Sequence, residues 1–455
     1  MRRKVFVIGL VIAVCGFLFS MILERHYRPQ SIMLFYFQQW PSETIMQTLP
    51  LEDLRNAPLQ TLWNGHIQPP LYDCIRAIFA QKDSASGPGE LLRSVDLSIY
   101  AAWAVLYGFL GAVIFWWLSA RVGMAVSLLG AVLFLLHPAA LFYVTFLDST
   151  FLTTFLIFLT CYLLWRLREN PSSSIIPLIT VVLCLFFCRS FIQIAAILVI
   201  ALSLLLMRVP RRTVMIFVLI CGGIAGLYLG KQYVQFGIFN TSSFTGLNLA
   251  RSIGLRNNYW SYLDLTEPNE YEQTHALPSV LTRKKKITGA PNFNHIRYLD
   301  ENQFLVNMYA DRLGEMSVQD VFLNYIENLQ IYLMPSSQYH DVFKTPVQVN
   351  VIVDRLPWRQ LYDRIFSFPI LPFLMLSSGL IWFWSAGWKV RPADIALALP
   401  CLYVFCVTVF FEKGENMRFK FFLEPVLYVF IIIQYAELIR IFVRWFQNRQ
   451  SPVRS

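Results

Sequence analysis

Two carboxylates in this apolar chain stand where they could do chemistry. Asp148 lies in LHPAALFYVTFLDSTF, at the start of an apolar run. Ionisable residues at membrane depth are costly, so Asp148 is a candidate functional residue; the alternative is a helix N-cap, which aspartate forms well. Glu43 follows Pro41-Ser42 and opens a short predicted helix. A carboxylate at either position could accept a proton from a substrate hydroxyl.

Arginines beside apolar segments are candidate anion ligands. Arg189 interrupts the stretch CLFFCRSFIQ, so it needs either a phosphate group or a neighbouring acid as its partner. The turn EKGENMRFK, which contains Glu415 and Arg418, carries five charges between apolar segments. Arginine binds phosphate through two parallel hydrogen bonds, which makes Arg418 a candidate phosphate ligand. A surface ion-pair cluster is the alternative interpretation of this turn.

A polar motif with two consecutive prolines, NGHIQPPLYD, lies between the first two apolar runs. His66 in this motif could bind a sugar or a phosphate, or could satisfy a backbone carbonyl. Gln68 and Tyr72 are further candidate substrate-binding residues. The sequence has no glycine-rich phosphate loop, no G-x-G-x-x-G after a strand and no D-x-D pair in a soluble domain. A nucleotide is therefore not an expected ligand.

The composition is that of a polytopic membrane protein. Of the 455 residues, 56% are hydrophobic and 15% are charged, and the mean hydropathy is +0.50. Soluble domains carry about 25% charged residues. The apolar runs are continuous, which predicts helices and not the alternating strands of a β-barrel. Seven of the eight cysteines lie in apolar runs, and their spacing indicates neither a disulfide framework nor a metal site.

Hydropathy predicts about ten transmembrane helices in an all-α fold. The apolar runs cover residues 5–22, 98–118, 123–140, 149–165, 174–188, 190–207, 213–230, 366–386, 393–411 and 421–441. The first run follows Met1-Arg2-Arg3-Lys4 but has no small-residue cleavage site after it, so we interpret it as an uncleaved helix. Residues 69–80 form a weaker, amphipathic candidate that does not span.

Charge asymmetry predicts the orientation. With the N-terminus in the cytoplasm, each predicted inside loop of the ten-helix arrangement is basic, as the positive-inside rule requires. Both termini are then cytoplasmic, and residues 23–97, 231–365 and 412–420 lie outside. The net charge of +10 is thus largely topological, and no nucleic-acid partner is expected. We assume a bacterial inner membrane, in which any active site would be extracytoplasmic.

These assignments predict three parts. Residues 1–230 form an N-terminal transmembrane catalytic module, whose outer loop 23–97 contains short helices on the membrane surface. Residues 231–365 form a larger extracytoplasmic segment with two helices, at about 302–313 and 318–333. Residues 366–455 form C-terminal transmembrane helices and a basic cytoplasmic tail.

The order of several motifs resembles the GT-C class of membrane glycosyltransferases, particularly the protein O-mannosyltransferase and aminoarabinose-transferase branch. The motifs are GHIQPPLY in the long first outer loop, a basic SARVG turn, LHP, then FLDSTFLTTFLIFLTCYLLWR, and an E-N-x-R-F turn before the last helices. The resemblance covers roughly residues 1–210 and 366–440. It implies a sugar donor attached to polyprenyl phosphate, an acceptor that is a glycan, a lipid or a protein, and contact with membrane lipids.

The resemblance also implies roles for individual residues. Glu43 would be the general base for direct displacement at the anomeric carbon, and Asp148 would match the acid at the second outer helix exit. Arg418 would neutralise the departing lipid phosphate, and PPLY would position the first-loop helices. A shift of the base to Glu24, or to Glu52 or Asp53, is left open, as is the need for a divalent cation.

Three other functions are compatible with the sequence. A transporter would show inverted repeats and broken helices near the midplane, and we find no repeat. A polymerase or ligase of lipid-linked glycans would use groups in residues 231–365. Those candidates are Arg251, Arg283, His295 and Arg297. A non-catalytic scaffold is the third alternative. These functions can be separated by comparing the effect of mutating Glu43 and Asp148 with the effect of mutating the arginines of residues 231–365.

Overall fold

The computed structural model describes residues 2–27, 41–82, 87–171, 173–255, 272, 274, 276–339 and 356–450. Every regular element in these ranges is a helix, so the predicted all-α class is confirmed. The helices before residue 240 are α1 (Arg2–Tyr27), α2 (Leu51–Asn56), α3 (Pro58–Trp63), α4 (Leu71–Lys82), α5 (Pro88–Ser119), α6 (Met124–Leu135), α7 (Pro138–Thr145), α8 (Thr150–Glu169), α9 (Ile176–Phe186), α10 (Ile194–Leu206) and α11 (Arg211–Phe236).

Nine further α-helices follow in the described part of the chain. They are α12 (Thr245–Ser252), α13 (Ser279–Thr282), α14 (Tyr298–Glu315), α15 (Val318–Tyr332), α16 (Arg359–Ile365), α17 (Ile370–Ser385), α18 (Pro392–Phe410), α19 (Asn416–Lys420) and α20 (Glu424–Gln450). Short 3-10 helices cover Ser42–Thr44 and Ser336–Gln338. The two helices predicted in 231–365 are confirmed as α14 and α15, and Ser317 and Asp320 form a capping box before α15.

Six of the described helices are long and apolar enough to cross a membrane: α1, α5, α8, α11, α18 and α20. Two bent pairs, α6 with α7 and α16 with α17, raise the number to eight if each pair is one span. The expected ten is not confirmed, because α9 and α10 have only 11 and 13 residues. At 1.5 Å per residue they are about 17 and 20 Å long, against an apolar core of about 30 Å.

The bends have local causes. Pro138 is the first residue of α7. A proline has no backbone N–H to donate to the preceding turn, and its ring clashes with that turn. The axis turns by 50° there, and by 52° between α16 and α17, where Pro369 precedes the second helix. The His137 ring accepts a hydrogen bond from the Ala139 N–H (3.1 Å) and caps α7.

Close helix packing supports the N-terminal part. Two long N-terminal helices, α1 and α5, pack along each other. A Cβ atom at Gly108 would lie 2.1 Å from the carbonyl oxygen of Ala13, so only glycine allows this approach. Helix α5 also carries Trp103, whose indole N–H donates to the backbone carbonyl of Asp148 (3.2 Å). The helix pair therefore positions one of the candidate functional residues.

The first loop and the second segment are docked onto each other. Arg283 forms ion pairs with Glu52 (2.6 Å) and Asp53 (3.0 Å). Asn294 accepts hydrogen bonds from the backbone N–H groups of His66 (2.8 Å) and Ile67 (3.2 Å). The short helices expected around PPLY are present as α2, α3 and α4. Their placement on a membrane surface stays a prediction, as does the orientation of the chain.

Candidate functional site

A cavity of about 500 Å³ lies at the end of the bundle where α8 begins and α18 ends. Its wall comes from the first loop, the turn before α8, the break between α9 and α10, helix α12, and the turn after α18. Most of the wall is apolar and aromatic. Convergence of a few charged groups in a largely apolar pocket is the usual form of a small-molecule site.

Four charged residues meet at this cavity, and we call them the cavity cluster: Asp148, Arg189, Glu415 and Arg418. Arg418 donates from Nη2 to Asp148 Oδ2 (2.5 Å) and from Nη1 to Glu415 Oε2 (2.8 Å). Arg189 Nη2 lies 3.7 Å from the same Asp148 oxygen. All four were candidates from the sequence, which did not show that they share one site.

The two arginines also share a hydroxyl group. Thr150 Oγ1 accepts from Arg418 Nε (2.8 Å) and from Arg189 Nη2 (3.3 Å), and it donates to Asp148 Oδ2 (2.7 Å). The Thr150 N–H donates to Asp148 Oδ1 (2.7 Å), so the aspartate also makes a contact typical of a helix N-terminus. This contact accords with the capping interpretation of Asp148, and its role as a functional residue stays a prediction. Thr150 itself was missed, although it follows Asp148 in the D-S-T sequence.

Arg189 is held less tightly than Arg418. Its side-chain contacts are 3.3 Å to Gln47 Oε1 and Thr150 Oγ1, and its buried Nε has no hydrogen-bond partner among the described residues. Burial and the nearby Arg418 lower the pKa of Arg189. A buried guanidinium with long contacts next to a second guanidinium can accept a further anion at low cost.

A second ion pair stands beside the cavity cluster. Glu412 lines the cavity and accepts a hydrogen bond from Arg251 Nη1 (2.9 Å). Burial raises the pKa of Glu412 from 4.5 to about 7, and repulsion from Glu415 adds to this effect. The nearby Arg251 lowers the pKa but is outweighed by burial. This carboxyl group therefore changes its charge near neutral pH, which suits a proton acceptor.

Glu43 lies in a different group, which we call the loop cluster: Glu43, Asp73, Arg76 and Lys286. The Glu43 carboxylate is fully buried, pairs with Arg76 and accepts from the Leu51 N–H (3.0 Å). Asp73 pairs with Arg76 at 2.7 Å. Although burial opposes it, the two carboxylates raise the pKa of Arg76. No sequence pattern indicated that Arg76 would pair with both acids.

The loop cluster supports the cavity wall from behind. Residues 44–47, immediately after Glu43, line the cavity, whereas Glu43 itself does not. Lys286 Nζ donates to the backbone carbonyl of Ile45 (2.7 Å) and to Thr48 Oγ1 (3.0 Å). Burial lowers the pKa of Lys286 to about 7. The structure thus places Glu43 close to the site but turned away from its cavity.

The three candidates of the proline motif also lie behind the wall. His66 is fully buried between Ser243 Oγ (2.7 Å) and the Asn294 carbonyl (3.0 Å), and burial lowers its pKa to about 3. The Tyr72 hydroxyl donates to the Leu147 carbonyl. Gln68 Nε2 donates to Ser149 Oγ (3.5 Å). Tyr72 and Gln68 hold the turn that carries Asp148, His66 ties the first loop to the second segment, and none of the three lines the cavity.

Three of the groups expected of a polymerase or ligase form ion pairs with different partners in the described part of the chain. Arg283 pairs with the first loop, and His295 lies 3.0 Å from Glu272. Arg297 precedes α14, and Arg251 pairs with Glu412. Among the described residues, no three His, Cys, Asp or Glu side chains gather as metal ligands would. A divalent cation as cofactor stays a prediction that the structure does not test.

These observations define a helical integral membrane protein with a charged cavity at one end of its helix bundle. Comparison with models of known protein families, with characterised proteins and with solved structures gives no significant match.

Proposed function

We propose that this protein is a glycosyltransferase that moves a sugar from a polyprenyl-phosphate donor to an acceptor hydroxyl. The observation that carries the proposal is the pair of buried arginines, Arg189 and Arg418, in a largely apolar cavity at the end of the bundle. The motif order that resembles the GT-C class supports it independently. On the predicted orientation the cavity opens on the extracytoplasmic face, which in a bacterium is the outer face of the inner membrane.

The arginines match the chemistry of the leaving group. In a direct displacement the acceptor oxygen bonds to the anomeric carbon, the bond from that carbon to the phosphate oxygen breaks, and polyprenyl phosphate leaves as an anion. Arg189 and Arg418 would stabilise the charge that develops on the phosphate. Arg189, with its long contacts and its unpartnered Nε, is the group that gains most from this anion.

The apolar wall matches the rest of the donor. Phe146, Phe191, Phe244, Phe411 and Phe419 line the same cavity as the arginines. A polyprenyl chain is apolar next to its phosphate, so burial against these rings stabilises the bound lipid by about 25 cal/mol per Å² of apolar surface. A free nucleotide or a sugar phosphate would gain no such stabilisation.

The proton of the acceptor hydroxyl must pass to a carboxylate, and two positions are candidates. Glu43, the first-loop acid, would reach the cavity only after its ion pair with Arg76 opens. Glu412 already lines the cavity, and its pKa of about 7 matches the pH at which such a base works best. We propose Glu412 as the acceptor of the proton and Asp148 as the group that fixes both arginines.

Transfer from a panel of polyprenyl-phosphate sugars tests the proposal. We expect turnover by the purified full chain in lipid nanodiscs, and a loss of at least about 100-fold in Asp148→Asn and Glu412→Gln. Glu315→Gln, an exposed acid on α14, is the matched control and should behave as wild type. A larger loss in Glu43→Gln than in Glu412→Gln, with folding intact, would assign the base to the first loop. Absence of turnover with every donor and acceptor class would contradict the function.

A further inference from the structure

One wall of the cavity is polar but uncharged. Helix α12, from the second segment, presents Thr245 and Asn248 to the cavity, three residues apart and thus on one helix face. Asn240 and Gln193 line the cavity as well, and Gln193 Nε2 donates to Asn240 Oδ1 (2.9 Å). Gln193 and Asn240 supply two amides, and helix α12 supplies an amide and a hydroxyl group. Together they offer both hydrogen-bond donors and acceptors.

Asn248 has an unused acceptor. Its Oδ1 atom is buried and has no hydrogen-bond partner among the described residues. A buried carbonyl oxygen without a donor is unfavourable, so such groups in native proteins usually have a partner that is part of the function. Because Asn248 lines the cavity, a bound molecule with an O–H or N–H group can supply the missing donor.

The carboxylates of the cavity are already paired with arginines. Asp148 and Glu415 are held by Arg418, and Glu412 is held by Arg251. A ligand ammonium group would have to displace one of these arginines to find a counter-ion. A ligand carboxylate at the polar wall would lie beside amide and hydroxyl groups, while the phosphate of the same molecule occupies Arg189 and Arg418.

We propose that the wall formed by Gln193, Asn240, Thr245 and Asn248 is a subsite for the hydroxyl groups of an uncharged sugar. This inference rests on the proposed function, because it assigns the glycosyl group of the same donor whose phosphate binds the arginines. The transferred sugar is then a neutral one, and neither an amino sugar nor a uronic acid. It also gives the second segment a role, since α12 selects the sugar.

The physical basis is the cost of burying a charge without a partner. Hydroxyl groups donate to amide oxygens such as Asn248 Oδ1 and accept from amide N–H groups, so a neutral sugar satisfies the wall and is satisfied by it. An ammonium or carboxylate group in the same place loses its water and gains no counter-charge. Selection in such sites comes mainly from this penalty against the wrong ligand.

Binding measurements on the purified full chain in nanodiscs test the subsite separately from transfer. The probes are polyprenyl phosphates of one chain length that carry a neutral hexose, an amino sugar, a uronic acid or no sugar. We expect the hexosyl lipid to bind at least about tenfold more tightly than the two charged glycosyl lipids. In Asn248→Ala its dissociation constant should rise about tenfold, while that of the sugar-free lipid stays unchanged.

Two further variants guard against misfolding and general effects. Asn248→Asp keeps the size of the side chain and adds a negative charge, so it should shift the preference toward the amino-sugar lipid by about tenfold. Gln303→Ala, on α14, which packs against α12, removes an exposed amide that contacts only its own helix, and should change no affinity.

Equal binding of the hexosyl lipid and either charged lipid would overturn the subsite. So would an unchanged affinity in both Asn248 variants, or an equal loss for the sugar-free lipid. Failure of the proposed function has a different signature. In that case the hexosyl lipid is still preferred and Asn248-dependent, but no acceptor receives the sugar. Transfer of an amino sugar or uronic acid at the rate of the hexose would support the function and reject the subsite.

Discussion

The loop cluster and the cavity cluster have the same formal composition and different environments. Each contains two carboxylates and two cations, and all eight side chains are buried. In the loop cluster most of the remaining hydrogen bonds go to the backbone of the first loop, at Leu49, Leu51 and Ile45, and one goes to Thr48 Oγ1. In the cavity cluster most of them go to the side chains of Thr150, Tyr339 and Gln47, and one comes from the Thr150 backbone N–H. One face of this cluster is open to a cavity of about 500 Å³.

We interpret this difference as that between a structural cluster and a proposed ligand site. Charges lose their hydration on burial, so each must be paired within the protein or by a ligand. The loop cluster satisfies its carboxylates internally and fixes the shape of the first loop. The Nε atoms of Arg76 and Arg189 both lack a hydrogen-bond partner among the described residues, but only Arg189 also has long side-chain contacts and lines the cavity. Mutations in the two clusters should therefore separate activity from stability.

The largest effect is expected from Arg418, which contacts Asp148, Glu415 and Thr150. Arg418→Gln should lower kcat/KM for transfer by about 10³-fold, because the charge that stabilises the leaving phosphate is lost. Arg418→Lys keeps the charge but not the planar fork, and should recover only part of the loss. Kinetics on protein selected by size-exclusion chromatography measures this. Full activity of Arg418→Gln would place the phosphate elsewhere.

Arg76, at the centre of the loop cluster, should affect stability instead. Arg76→Met leaves Glu43 and Asp73 buried without their counter-ion, so the free energy of unfolding should fall by about 3–5 kcal/mol. Denaturation in detergent measures this. Arg312→Met, which breaks an exposed pair with Glu315, is the control and should cost at most about 1 kcal/mol. If Arg76→Met remained as stable as wild type but inactive, the loop cluster would be part of the active site.

Local sequence patterns predicted the helices but not their partnerships. The helices predicted at about 302–313 and 318–333 and the short helices around PPLY depend on neighbouring residues, and they were found where expected. The break between two apolar runs at Arg189 is also a local feature of the sequence. Whether the helices on either side of it, α9 and α10, can each span a membrane depends on their exact lengths. Asp148, Arg189 and Arg418 were separate candidates because their contacts join residues up to 270 positions apart. For the same reason the partner of Glu43, Arg76, was not foreseen.

Lys286 connects the loop cluster to the cavity wall and should have an intermediate effect. Lys286→Met removes the hydrogen bonds to Ile45 and Thr48 that hold residues 44–47 at the cavity. We expect KM for the lipid donor to rise about 30-fold with little change in kcat, since two hydrogen bonds of about 1 kcal/mol each are lost. Lys285→Met changes the exposed neighbour and is the matched control. A change in kcat alone would assign Lys286 to the chemical step.

The smallest effect is a pH dependence of donor binding through Glu412. Burial raises the pKa of its carboxyl group to about 7, so the group is mostly neutral at pH 6 and mostly ionised at pH 8. A glycosyl phosphodiester keeps one negative charge over this range, and it should bind about fivefold more tightly at pH 6, since repulsion by ionised Glu412 costs about 1 kcal/mol.

The Glu412→Gln variant isolates this contribution from Lys286, whose pKa is lowered to about 7. The variant should bind the donor with nearly the same affinity at pH 6 and pH 8, measured in nanodiscs at constant ionic strength. The stability of the folded protein should change with pH in the same direction as donor binding. The native state favours protonated Glu412, so its contribution to stability declines as the pH rises from about 4.5, its usual pKa, to about 7. Tighter donor binding at pH 8 in the wild type would mean that ionised Glu412 does not face the phosphate, and the cavity cluster alone would then set the affinity.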